Sequence, residues 1–109
     1  MGGSNKRAFP RIKAPNGSYA SFVGGAGSLR DLSLGGALIE DPHPLSDGAP
    51  LNLTLHLNGD TVVCRGVVRR SIPERGMGVQ FVELSQEERK RLGGYLLSLF
   101  VEENRRRAR

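Results

Sequence analysis

This chain of 109 residues contains one cysteine, Cys64, two histidines, His43 and His56, and no tryptophan. A single cysteine excludes an internal disulfide and any multi-cysteine metal site. Two histidines leave little material for a histidine-rich metal centre. Aromatic residues make up 6% of the chain and do not interleave with cations on any strand-like segment. Stacking platforms for single-stranded nucleic acid are therefore scarce. No apolar run approaches the ~20 residues of a membrane span, so membrane insertion is not expected. Met1–Lys6 are small and polar with no apolar stretch behind them, which reads as no secretory signal and a cytoplasmic setting. There is no His/Asp/Ser set with a shared pocket and no Gly-rich loop opening a helix, so an enzyme is not expected.

What is present fits one domain. Hydrophobic residues are 38% and charged residues 25%, ordinary for a folded protein. The net charge of +5 has an uneven distribution. Residues 1–13 carry Lys6, Arg7, Arg11 and Lys13 and no acid, and residues 104–109 carry four arginines and no acid. The body between them has eight cations against eleven acids, a net −3. Thirteen of the sixteen cations are arginine, whose planar fork suits phosphates and guanine edges better than the point charge of lysine.

Residues 1–17 hold four cations, glycines and prolines but few apolar anchors, and read as an arm that is mobile until something binds it. Residues 18–104 read as an all-β body followed by one helix, and 105–109 as a basic tail. Strand candidates are Tyr19–Val23, Ser28–Leu32, Ala37–Glu40, Leu51–Leu57, Thr61–Val68 and Met77–Val82. The clearest is Leu51–Leu57, where leucine recurs at every second position. Asn58-Gly59 follows it, the favoured pair for a tight type I′ hairpin. Short strands punctuated by turns predict a small barrel or sandwich. Ser85-Gln86-Glu87-Glu88 then fits a capping box. Leu92, Tyr95, Leu96, Leu99 and Phe100 beyond it form one helical stripe, expected to dock on the barrel. Cys64 reads as a small buried hydrophobe, and both histidines as solvated.

Two short patterns remain. Arg7-Ala8-Phe9-Pro10-Arg11 places two arginines four residues apart, and Pro10 disfavours helix at Phe9. Asp31-Leu32-Ser33-Leu34-Gly35-Gly36 closes a strand. If the strand continued, Asp31 and Ser33 would share a face. The one would offer two acceptor oxygens and the other a hydroxyl, while Gly36 would let a flat ligand approach the backbone. Taken alone, Asp31 and Ser33 read equally well as turn formers, and the arginines as solubilising charges. Arginine pairs with phosphate or with the O6/N7 edge of guanine, and a carboxylate accepts from guanine's N1–H and N2–H₂. An anionic, guanine-rich ligand would use every one of these groups.

In that order and at that spacing, the two patterns resemble the PilZ domain family. The resemblance covers nearly the whole chain. It extends to Gly76-Met77-Gly78-Val79-Gln80-Phe81 and to the acidic helix start Leu84–Glu88. It implies an all-β fold, a six-stranded antiparallel barrel with a C-terminal α-helix. It implies cyclic di-GMP, a bacterial second messenger with two guanines and two phosphodiesters, as the ligand, and no cofactor. By position, Arg7 and Arg11 would grip phosphate and the guanine Hoogsteen edge, Asp31 and Ser33 would hydrogen-bond a guanine, and Gly36 would allow close approach. Lys6 stands where members often have another arginine; it keeps the charge but lacks the fork, leaving one ligand or a stacked pair open. Some members set an aromatic or arginine near the position of Arg69 or Arg70 against a guanine. A chain of this size would order its arm on the ligand and signal to a downstream protein. Two other readings use the same residues: a PilZ-like protein-interaction adaptor that binds no nucleotide, and a small nucleic-acid-binding barrel, which the scarcity of aromatics disfavours.

Overall fold

Alternating leucines and a hairpin turn set the architecture of the centre of the chain, and a computed structural model describing residues 10–107 shows how the rest assembles on it. The elements in chain order are β1 (Ile12–Lys13), β2 (Tyr19–Phe22), β3 (Gly25–Leu32), β4 (Gly36–Glu40), β5 (Pro50–Leu57), β6 (Asp60–Ile72), β7 (Gly76–Glu83) and α1 (Gln86–Arg107). Strands β3, β2, β5, β6, β7 and β4 pair in that order, all antiparallel, and β4 returns to β3. The result is a closed six-stranded barrel, with β1 as an extra strand on β3. Closure leaves the barrel strands few free edges. β3 carries β2 along Gly25–Ser28 and β1 along Asp31–Leu32 on one edge, and β4 on the other.

Leu53, Leu55 and Leu57 of β5 are buried while Asn52 is exposed, as a two-residue period requires. Across the hairpin they face Cys64 and Val62, with register Leu53↔Cys64 and Leu55↔Val62. Burying each such leucine contributes about 1.5–3 kcal/mol. The register is pinned by Asn58 and Gly59, whose φ angles of 23° and 92° are both positive, the signature of the type I′ turn. Val68, Met77, Val79, Ile39, Leu32 and Leu29 belong to the same core, with Phe81 and, from α1, Leu92 and Leu96.

Burial pushes the Cys64 thiol up from its usual 9.0 to about 12, with the Glu88 carboxylate adding to the shift. Cys64 should therefore resist an alkylating reagent at pH 8 in the native protein and react fully in denaturant, which a mass-spectrometric time course would show. Its folded pKa lies above the unfolded value, so the thiol favours folding below about pH 9 and that contribution falls away as the pH rises further. Alkylation of the native protein at the denatured rate would contradict the placement.

Ser85 caps α1 as expected, its Oγ accepting from the Glu88 N–H at 3.1 Å. The return half of the capping box is not made. The Glu88 carboxylate instead accepts from the Val63 N–H at 3.0 Å and pairs with Arg91. The reason is β6: β7 pairs with it only from Arg65 onward, and the helix start occupies the edge left open. The expected docking stripe is shorter than predicted. Leu92 and Leu96 are buried and Tyr95 and Leu99 half-buried, but Phe100 is exposed. The helix outruns the barrel, which leaves Phe100 without a surface to meet. The expected basic tail also begins as helix, since α1 continues through Arg107.

The predicted arm needs a similar correction. Residues 1–9 lie outside the described residues, but residues 12–17 belong to the body. Ile12 and Lys13 pair with Leu32 and Asp31, Ala14 is buried, and the Ala14 N–H donates to the Arg30 carbonyl at 2.9 Å. His56 is not simply solvated. It stacks on Tyr19, with ring centroids 4.2 Å apart, and its Nε2 lies 2.8 Å from Ser21 Oγ. Strand pairing sets Tyr19 opposite His56, a neighbour that β5 alone could not reveal. His43 is exposed in its loop, as expected.

Candidate functional site

The segment joining β3 to β4 turns within three residues, and Ser33 makes that turn. Its Oγ accepts from the N–H groups of Gly35 and Gly36, both at 3.1 Å, and its own N–H donates to the Gly36 carbonyl at 2.9 Å. The Phe81 N–H donates to the Gly35 carbonyl at 2.8 Å, tying the loop to β7. Ser33 is buried, at 4% exposure. Its hydroxyl therefore faces the amides of its own loop and does not share an open face with Asp31. Of the two readings the sequence allowed for Ser33, the observed geometry is that of the turn former.

Gly36 differs from its expected placement in the same way. A Cβ there would lie 2.3 Å from the Val79 carbonyl oxygen. The missing side chain makes room for β7, the strand Gly36 pairs with. The loop is in this sense a rigid support, and the residue it presents outward is Asp31.

Asp31 is the last outward position of β3, and β1 lies beside it. Arg11 precedes β1, and its Nη1 donates to Asp31 Oδ1 at 2.9 Å. Two motifs twenty residues apart in sequence thus meet at one point. Lys13, exposed, is the register partner of Asp31 on β1 and adds a second cation to this corner. The sequence reading counted Lys13 only as charge; its pairing with Asp31 appears once β1 is placed on β3. Lys6 and Arg7 lie outside the described residues.

From Asp31 a single row runs across the barrel wall. Asp31 is opposite Leu38, Leu38 opposite Gly78, and Gly78 opposite Arg70. With neighbouring strands ~4.8 Å apart, the row is about 14 Å long. Leu38 and Gly78 lie between buried neighbours on their strands and so face outward. They make a low, largely apolar floor between a carboxylate and an arginine. A bulge in β6 between Val68 and Arg70 leaves Arg69 exposed beside this floor. Its Nε donates to Gln80 Oε1, which fixes the guanidinium over β7. The sequence suggested Arg69 or Arg70 without choosing; the bulge brings both to this face.

A flat ring system could lie on Leu38 and Gly78, with Arg11 and Lys13 at one side and Arg69 and Arg70 at the other. A cavity of about 750 Å³ opens next to the floor and shares Leu38 with it. It is lined by Glu40, Asp41 and Glu74 as well as Arg30 and Arg75, and Arg30 is already paired with Glu40 at 2.5 Å. Three carboxylates make it a poor seat for phosphate. Among the described residues, no group of three His, Cys, Asp or Glu side chains could hold a metal ion.

The family model described as the PilZ domain matches residues 5–98. Among solved structures, the complex of MrkH from K. pneumonia with c-di-GMP superposes with a TM-score of 0.81 at 23% identity, covering 92% of this chain and 55% of that one. The PilZ domain of YcgR from Escherichia coli with c-di-GMP gives 0.72 at 21% identity, covering 95% and 98%. YcgR from Escherichia coli in complex with c-di-GMP gives 0.76 at 20%, covering 94% and 50%. The chain thus spans about half the length of MrkH and of the longer YcgR chain. No curated protein matches it in sequence.

Proposed function

This chain belongs to the PilZ domain family, a family of receptor domains and not of enzymes, and on that premise we propose that it is a receptor for cyclic di-GMP. The observation that carries the reading is the meeting of Arg11 and Asp31 at one end of the Leu38–Gly78 floor, with Arg69 and Arg70 at the other end. In the bound state the Asp31 carboxylate accepts from the N1–H and N2–H₂ of one guanine. Arg11, released from Asp31, turns its fork to a phosphate or to the guanine O6/N7 edge, with Arg7 and Lys6 joining from the preceding segment. Ser33 and Gly36 act beneath the ligand, holding Asp31 in place. Arg69 and Arg70 close the far side of the floor.

The exchange is energetically reasonable. The Arg11 and Asp31 side chains are 55% and 27% exposed, and an ion pair that open to solvent is worth about 0–1 kcal/mol. A micromolar ligand binds with about −8 kcal/mol, so breaking the pair costs little of it. Capture of the segment before β1 changes the surface around the site, and a downstream protein in the cytoplasm reads that change.

Calorimetric titration with cyclic di-GMP, with GTP and cyclic di-AMP as controls, tests the reading. Binding to cyclic di-GMP alone is expected, with weak dependence on salt, because a ligand with two phosphates releases few counterions. Steep salt dependence with binding to any oligonucleotide would favour a nucleic-acid barrel. No binding to any nucleotide would favour an adaptor.

A further inference from the structure

Helix α1 has two apolar faces, and the barrel uses only one. Leu92 and Leu96 are buried against it. Leu97, Phe100 and Val101 point away and are 61%, 51% and 44% exposed. At 100° per residue these three fall within an arc of about 100°. Within about 80° of Leu97 the exposed cations Arg89, Lys90 and Arg105 outnumber the one acid, Glu87. Lys90 and Arg105 fall about 20° and 80° from Leu97, at or beside the arc, whereas Glu102 and Glu103 fall about 140° and 120° away on either side. Lys90, Arg105 and Arg106 are all exposed, and residues 105–109 contain four arginines and no acid. The outer face is thus an apolar ridge with Lys90 and Arg105 beside it and the arginines of 105–109 at its C-terminal end; Glu87, at the same angle as Arg105, lies nearly three turns before Leu97, and Glu102 borders the ridge beside Val101.

We propose that this outer face of α1 binds an anionic lipid surface, lying in the interface with Leu97, Phe100 and Val101 entering the headgroup boundary and the arginines meeting lipid phosphates. The pattern is that of an interfacial helix, which combines a polar, cationic face with a few projecting apolar side chains. It does not call for insertion: no helix among the described residues is long and apolar enough to cross a membrane. A second copy of the chain pairing like faces in parallel would bring the arginine-rich ends of two helices together, and an antiparallel pair is an outcome that the experiment separates. α1 also packs on β1, the strand that follows Arg11, so a membrane-bound helix would hold the ligand site at a fixed orientation to the bilayer.

Co-sedimentation of the full chain with vesicles of phosphatidylcholine alone, or with 30% phosphatidylglycerol, tests this. Each cation near such a surface favours binding by about fivefold, so at least a tenfold preference for the anionic vesicles is expected, declining as salt rises. The double variant Leu97→Glu/Phe100→Glu alters only exposed positions and should keep its melting temperature and its nucleotide titration while losing vesicle binding. Lys90→Glu/Arg105→Glu should do the same. Three results would overturn the proposal: no preference for anionic vesicles, anionic binding unchanged by the Leu97/Phe100 variant, or a concentration-dependent dimer that the same variant abolishes.

Discussion

Replacing Arg11 by alanine is expected to weaken cyclic di-GMP binding by at least about 100-fold while the barrel stays folded. A hydrogen bond to a charged group contributes about 1.5–3 kcal/mol, and a fork that engages phosphate or a guanine edge makes two of them. Losing both corresponds to two or more decades in affinity. The stability effect is small by comparison, because what the free protein loses is the half-exposed pair with Asp31. At about 0–1 kcal/mol, that pair shifts the melting temperature by no more than ~5 °C in a domain of this size. Arg11→Lys should fall between, since it keeps the charge and loses the fork. Arg7→Ala should match Arg11→Ala. Titration and thermal melting of the same samples separate the two effects. An Arg11→Ala protein that binds as the parent does would reduce Arg11 to a strand latch and remove the basis of the proposed exchange.

Gly36→Ala should behave in the opposite way, losing the fold first. The added Cβ would meet the Val79 carbonyl oxygen at 2.3 Å and the Val79 carbonyl carbon at 3.3 Å. Both are backbone atoms of β7, so no side chain can swing aside. β4 and β7 would have to part by about 1 Å where they pair. Overpacking typically costs about 1–3 kcal/mol, and a clash against backbone sits at the upper end. A fall of at least ~10 °C in melting temperature is expected, with nucleotide binding lost in proportion to the folded fraction. Unchanged melting with binding lost would return Gly36 to the role the motif suggests, that of clearing space for the ligand.

These two variants divide one sequence motif into its parts. Asp31, Ser33 and Gly36 are read together in sequence as ligand contacts, yet only Asp31 faces outward in the fold. Ser33 spends its hydroxyl on the Gly35 and Gly36 amides, and Gly36 spends its missing side chain on β7. A strand pattern places Asp31 and Ser33 on one face only if the strand continues through both. Here β3 ends at Leu32, and the turn rotates Ser33 inward. Lys13 and the row from Asp31 to Arg70 left no sequence trace, because register between strands distant in the chain is not a local property.

The sequence by itself determined the class of the fold, the leucine core of β5, the Asn58-Gly59 hairpin, the Ser85 cap and the two motifs that identify the family. Each of these rests on neighbours within a few residues: a period of two, a pair of positive φ angles, an oxygen three positions before an N–H. Only the tertiary structure decided that the segment after Arg11 is a strand, that Phe100 faces solvent, and that four arginine and lysine side chains surround one floor. Those outcomes depend on which edges and faces remain open once the barrel has closed, and closure joins residues whose separation along the chain carries no mark of their meeting.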